Sequence, residues 1–419
     1  MYSIFKTALL TTLLCAVPAV MRAQFDFTLD GRQVQIHSFA SQGFMYSNDN
    51  NYLTTNTSQG SFAFTDFGAN VSTQVTDKFR VGAQIYDRNL GKLGNWRPSL
   101  DWAVADYRFK DWFGIRAGKV KTTLGLFNDT QDMEFLQTWA LMPQSVYPLD
   151  QRGSIIAHEG GDIYGNIGIK KLGGLSYTVY GGKRPYDSQD GYPYSLDTSL
   201  GTRAANGITN VVPNTSRKVN SSTGPVFGAD LRWNTPVKGL MAGTTFFDQD
   251  TTTKGIYRAT GNPFLIAGDR NDDKDHTLAN YLEYTIGNLR FDGEYRREIL
   301  VSTSNTSTGA WNASSGKDIR SGYVALSYRL MKRLEVGSYY SRFYYDWASP
   351  HDDPSNYIFD RVATARVDLT NFLDLKVEGH FMEGIMRSAT INRGFYVAAN
   401  ANGLQPDTHL LVIRLGYHL

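Results

Sequence analysis

Cysteine is nearly missing from this chain: its 419 residues contain one, Cys15, inside an apolar N-terminal stretch. Beyond that stretch there is no thiol, which excludes disulfides, thiolate metal sites and cysteine nucleophiles. Long hydrophobic runs are also lacking. The one sustained uncharged apolar segment, from Thr7 to Val20, is too short to cross a hydrocarbon core of about 30 Å, and mean hydropathy is -0.35. A helical membrane bundle is therefore excluded. Net charge is small as well, +2 from 42 basic and 40 acidic residues, which argues against a phosphate-neutralising nucleic-acid binder. No segment carries a sustained 3.6-residue stripe. Catalytic signatures are missing too: there is no G-x-S-x-G elbow and no glycine-rich phosphate loop, and His158-Glu159 lacks the second histidine of a zinc-protease helix. No enzyme, cofactor or resident metal is expected.

The N-terminal stretch MYSIFKTALLTTLLCAVPAVMRAQ has an early lysine, an apolar centre and small residues near its end, the pattern of a secretory signal peptide. Cleavage is expected after Ala23, with Ala19 as the runner-up. Leu14 stands where a lipoprotein would have a small residue, so Cys15 reads as an apolar filler. Residues 1–23 contain Lys6 and Arg22 and no acid. The remaining chain, 24–419, thus balances 42 − 2 = 40 basic residues against 40 acidic ones.

What the chain has in quantity is tyrosine (25), phenylalanine (23) and glycine (40), arranged with a period of two. In LRFDGEYR, Leu289, Phe291, Gly293 and Tyr295 alternate with Arg290, Asp292, Glu294 and Arg296. GYVALSYRL sets Val324, Leu326, Tyr328 and Leu330 against Tyr323, Ala325, Ser327 and Arg329. In LDLKVEGHFM, Leu375, Val377 and Phe381 oppose Lys376, Glu378 and His380, and the pattern recurs in FRVGAQIYDR, FGADLRW and the terminal THLLVIRLGYHL. Period two marks strands with one apolar and one polar face.

Connections alternate between short and long. Seven short turns are expected, at 76–78, 110–112, 171–174, 235–239, 287–288, 331–333 and 370–372. Eight long polar loops are expected at about 43–60, 89–99, 121–152, 185–222, 250–275, 301–317, 347–356 and 387–407. Seven turns and eight loops join sixteen strands with both ends on the short-turn side. That predicts an all-β fold, a transmembrane antiparallel β-barrel with long extracellular loops and short periplasmic turns. In hydrocarbon an open sheet edge has no partner, so the sheet must close. At this strand number the interior is too wide for wall side chains to fill, and a water channel is expected. Phe79, Trp112, Phe113, Phe372 and Tyr417 fall beside short turns, where one aromatic girdle belongs. Tyr339, Tyr340, Phe343, Tyr344 and Tyr345 approach the other.

On these residues the chain resembles the sixteen-stranded porins of Gram-negative outer membranes, most closely those related to the phosphate-selective type. The likeness covers the architecture of 24–419 and one stretch, FGIRAGKVKTTLGLFNDTQDMEFLQTWALMPQSVYPLDQRG, from Phe113 to Gly153. In such porins a basic, glycine-containing fifth strand precedes a loop that folds into the barrel. The resemblance therefore implies that the 121–152 loop is a constriction. The family usually closes on Phe, whereas this chain closes on Leu419, with Tyr417 two residues before it. The resemblance further implies an outer-membrane location, contact with membrane lipid and a homotrimer. Its implied function is passive diffusion of small hydrophilic solutes or ions.

A pore selects by the charges at its narrowest section. The expected constriction set is Arg116, Lys119, Lys121 and Arg152 on the basic side and Asp129, Asp132, Glu134 and Asp150 on the acidic side. Inward wall positions include Arg80, Arg232, Arg290, Arg296, Arg329, Arg366, Lys376 and Arg414. Acids including Asp230, Asp292, Glu294, Asp374 and Glu378 are interleaved with them. Such mixing predicts a weakly selective lumen and does not carry over phosphate specificity. Asp269–Asp275 spaces oxygen ligands like a calcium loop but has Lys274 in place of the required glycine. The competing function is a barrel that works through its loops, as receptor, adhesin or rim hydrolase, or that sheathes a partner protein. In the hydrolase case His37, His276, His351 and His409 are the available bases.

Overall fold

The structure is a computed structural model that describes residues 25–29, 31–205, 215–259, 266–307, 312–386 and 393–419; the expected signal peptide lies outside them. Its strands are β1 (Phe25–Leu29), β2 (Arg32–Ser47), β3 (Ser61–Thr76), β4 (Phe79–Asn89), β5 (Ser99–Lys110) and β6 (Phe113–Lys121). They continue with β7 (Ala157–Gly168), β8 (Gly174–Lys183), β9 (Thr215–Thr223), β10 (Pro225–Asn234), β11 (Leu240–Ala259) and β12 (Ile266–Ile286). The last six are β13 (Leu289–Thr306), β14 (Asn312–Met331), β15 (Leu334–Tyr344), β16 (Tyr357–Asp368), β17 (Leu373–Glu383) and β18 (Asp407–His418).

Alternation decides which way each strand faces, and the burial pattern is inverted relative to a soluble sheet. Val324 and Leu326 are 52% and 48% exposed, whereas Tyr323 and Ala325, which alternate with them, are 4% and 2% exposed. The apolar face therefore points outward, and the polar face is covered from within. Apart from β9, each strand pairs antiparallel with the next, β8 with β10, and β18 returns to β2, with Leu410 opposite Ser47 and His418 opposite Phe39. Two of the eighteen strands do not add to the circumference. β1 is a short hairpin on β2, while β9 continues the line of β10 along β11 beyond a break at Gly224. Sixteen staves close the barrel, as expected.

All seven short turns fall where the sequence placed them, but three of the long loops require correction: 185–222 takes in β9, and two others are mostly strand. β11 runs on to Ala259 and β12 begins at Ile266, so most of 250–275 is strand. Likewise β13 extends to Thr306 and β14 starts at Asn312, inside the expected 301–317 loop. These staves have 20, 21, 18 and 20 residues, against 12, 9, 12 and 10 for β5 to β8. About ten residues already span hydrocarbon. The surplus stands above the membrane, its outer face in water and its inner face, with Thr251, Thr253 and Asn271 buried, against the folded connections, and no lipid imposes an apolar alternation there.

The Asp269–Asp275 calcium reading fails for the same reason. A strand spaces alternate side chains about 6–7 Å apart in a straight row along one face and sends the others to the opposite face, so these oxygens cannot wrap around one ion. Asp272 instead pairs with Arg270 at 2.6 Å, and Asp273 accepts from the Tyr192 hydroxyl at 2.6 Å. Three girdle assignments are also corrected. Tyr339 and Phe343 face inward and are buried, and Tyr345 packs against the core of the upper lumen, leaving Tyr340 and Tyr344 on the outer face.

The open water channel needs the largest correction, because folded loops occupy the upper lumen. Leu53, Leu90, Leu93, Leu141 and Phe395 come from four connections and pack with the inward wall residues Phe64, Phe343, Val412 and Leu410 in one apolar core. Polar ties lock it: Leu53 N donates to Gly394 O at 2.6 Å, and Asn50 Nδ2 reaches Thr408 Oγ1 at 2.7 Å.

Candidate constriction site

The segment 122–156 joins β6 to β7 and carries Leu124, Leu126, Phe127, Trp139, Leu141, Val146 and Tyr147, too much apolar surface to remain in water. It folds into the barrel, where inward Tyr281, Tyr323, Tyr339 and Val362 supply a matching apolar lining. Ordering a backbone costs about 1–2 kcal/mol per residue. Burying each large apolar side chain returns about 1.5–3 kcal/mol, and hydrogen bonds to charged groups add about 1.5–3 kcal/mol each.

Two wall carboxylates provide the main charged anchors. Glu378 on β17 accepts from Ala140 N at 3.0 Å and Leu141 N at 2.9 Å, and its other neighbour is His380 Nε2 at 3.0 Å. Glu294 on β13 accepts from Leu126 N at 3.1 Å and from the Tyr147 hydroxyl. Gly125 makes this approach possible. Its φ is +73°, its N–H donates to Thr245 Oγ1 at 3.0 Å, and a Cβ there would lie 2.1 Å from Glu294 Oε1.

Most of the expected lumen-wall cations serve the same loop. Arg366 donates to Phe135 O and Gln137 O, Lys376 to Glu134 O at 2.7 Å, Arg296 to Val146 O and Arg414 to Ala140 O. Arg232 bridges Asp230 on the wall and Asp129 on the loop at 3.0 and 3.2 Å. Arg290 pairs with Glu283 and Asp292 on the wall, and Arg329 with Glu335 and Asp368 near a periplasmic turn. Arg80 is different, hydrogen-bonding the Ser72 hydroxyl at 2.9 Å beside open space.

That space is a cavity of about 670 Å³ between the loop and the β2–β6 wall. Of the eight constriction residues, Arg116, Lys119, Lys121, Asp129 and Asp132 line it. Lys121 binds Asp132 at 2.7 Å, and Arg116 binds Asp162 at 2.9 Å. Lys119 donates to Leu100 O at 2.6 Å and also lines a cavity of about 100 Å³ on the loop side, next to Arg97 and Asp187. Among the described residues, Arg80 and Lys119 are the lining cations of the large cavity with no acid in salt-bridge range.

The other three expected residues lie apart from the large cavity. Arg152 makes a two-pronged pair with Asp101 at 2.7 and 2.8 Å and borders the smaller cavity. Asp150 is buried and accepts from Tyr396 at 2.5 Å, so it acts within the loop core; burial pushes its carboxyl up. Glu134 contacts Arg414, which also holds Asp66 at 2.6 Å. One guanidinium cannot offset two carboxylates, and burial, reinforced by Asp66, pushes Glu134 up to about 8.

Sequence reasoning missed Gln84, which ties Asp101 and Asp132 together at 2.8 and 2.9 Å, and also Asp66 and Asp101. Inward parity on β4 marks Gln84. Asp101 sits at a register shift between β4 and β5, which alternation alone does not reveal. The four histidines are dispersed. His37 lines the large cavity, His276 pairs with Asp248, His351 packs on Trp347, and His409 meets the Phe381 ring. Among the described residues no group of His, Cys, Asp and Glu is placed to hold a metal.

No protein-family model matches the chain, and no curated protein matches its sequence. Solved structures do match. Outer-membrane-expressed OmpT of Vibrio cholerae aligns with TM-score 0.55 at 9% identity, over 94% of this chain and 100% of that one. OmpF of Salmonella typhi, in complex with daunomycin, gives 0.54 at 12%, over 94% and 100%. The anion-selective porin from Comamonas acidovorans gives 0.52 at 10%, over 93% and 100%. At such identity the likeness is one of fold. Closure, the outward apolar band and that shared fold make this chain a multi-pass barrel of the Gram-negative outer membrane.

Proposed function

We propose that the protein is an outer-membrane porin, a passive diffusion channel rather than an enzyme, for small hydrophilic solutes and ions. The observation that carries this reading is the 122–156 loop held across the lumen by Glu294 and Glu378, with a charged cavity left between it and the β2–β6 wall. Passage is off-axis on this reading, beside Lys119, which borders both the large cavity and the smaller one above it. Because two lining cations, Arg80 and Lys119, stand outside salt-bridge range against one such acid, Asp106, which accepts from the Tyr164 hydroxyl, small anions pass ahead of cations. Planar-bilayer recording tests this. Across a salt gradient the reversal potential should indicate mild anion preference, and Arg80→Gln with Lys119→Met should move it towards cations. An unchanged potential would remove the β4–β6 wall from the path.

The apolar core formed by the extracellular connections favours one second reading, a barrel that acts through its loops. That barrel would show no solute permeation. A homotrimer is proposed from the resemblance to porins, with lipid as the remaining contact of the outer wall.

A further inference from the structure

The outer wall carries a basic cluster at the upper edge of its lipid-facing band. Across β14 to β17, Val324, Tyr340, Arg361 and Phe381 pair in one outward row. Val324 and Phe381 are exposed apolar residues, so Arg361 stands between lipid-facing neighbours. Arg342, two residues above Tyr340, donates from Nε to the Tyr340 hydroxyl at 2.8 Å. Both guanidiniums flank the same ring, with Arg342 5.0 Å and Arg361 5.6 Å from its centroid. Beside them Arg320 lies 4.3 Å over the Trp347 ring, and Arg297 faces Asp318 through two contacts of 3.0 Å.

The acids here do not match the bases. Asp318 is shared by Arg297 and Arg320, Glu383 reaches Arg361 only at 3.4 Å, and among the described residues Arg342 has no carboxylate in salt-bridge range. Two like charges against one phenol repel, and the surrounding hydrocarbon offers little screening. An anion bridging them removes that cost. Guanidinium forks match phosphate oxygens two at a time, and an aromatic floor holds the forks in place.

We propose that this face of β13 to β17 binds a phosphate group of the phosphorylated glycolipid of the outer leaflet, the lipid A part of lipopolysaccharide. Location selects the lipid over a free anion. The cluster lies on the convex wall, with Leu326, Tyr328 and Leu330 continuing below it as an acyl-chain surface. The long-loop ends that carry it face the cell exterior.

The test uses purified full-length protein in detergent, titrated with diphosphorylated lipid A and read by native mass spectrometry. Wild type should retain lipid A. Arg342→Gln with Arg361→Gln should lower its occupancy at least tenfold, and Arg333→Gln at a periplasmic turn should leave it unchanged. If the double variant does not fold, Arg342→Gln alone should give a several-fold loss, and Arg342→Lys a smaller one. Equal retention of lipid A stripped of both phosphates would overturn the proposal. So would wild-type occupancy in the arginine variants, or displacement of the lipid by millimolar inorganic phosphate.

Discussion

Glu134 sits where the loop meets the wall, with Asp66 and Arg414 against it and Lys376 on its carbonyl. Its carboxyl is neutral below about 8 and ionises as pH rises through that value, adding negative charge to the loop next to Met133 and Phe135 of the cavity lining. The sign follows: selectivity should shift towards cations between about pH 7 and 9. Reversal potentials should show that step in wild type and not in Glu134→Gln, and a step surviving in the variant would assign it elsewhere. At this scale the sequence was partly legible. Inward parity correctly placed Arg80, Arg232, Arg366, Lys376 and Arg414 in the lumen. It did not reveal that most of them hold loop carbonyls, since those partners lie far along the chain. Asp150 illustrates the limit, because its tie to Tyr396 depends on how two loops pack.

The decisive element is the 122–156 loop, whose apolar residues and two carboxylate anchors keep it inside. Gly125→Ala puts a Cβ into Glu294 and forces an L-residue into the left-handed region, at about 1–2 kcal/mol. Glu378→Ala leaves the Ala140 and Leu141 amides without their acceptor, at about 1–3 kcal/mol each. Both variants should give larger and noisier single-channel conductance; currents identical to wild type would mean that the loop does not bound the path. The loop was legible as an element, from its place after a basic, glycine-containing strand. The tall staves β11 to β14 were not. Strand above the membrane meets water outside and polar loop groups inside, so its sequence is as polar as a loop.

For the whole molecule, alternation and turn spacing sufficed to specify a closed sixteen-stave barrel, because the bilayer requires one apolar face on every stave. What fills the barrel was not legible, since contacts such as Asn50 to Thr408 join opposite ends of the chain. The outer wall offers a surface for the proposed trimer. On its low side Ala105, Ala117, Gly161 and Gly181 stand in register on four successive strands, a flat strip against which a second copy can pack. Sedimentation in detergent should return a trimer, and a monomer under mild conditions would remove that part of the account. The central claim, that solutes diffuse through a lumen narrowed by the loop, is tested most directly by liposome swelling with sugars of graded size. Swelling is expected with the smallest sugars, a sharp fall with larger ones, and a higher cut-off when Glu294 and Glu378 are both replaced by alanine. No swelling with even the smallest sugar, in wild type and variant alike, would contradict it.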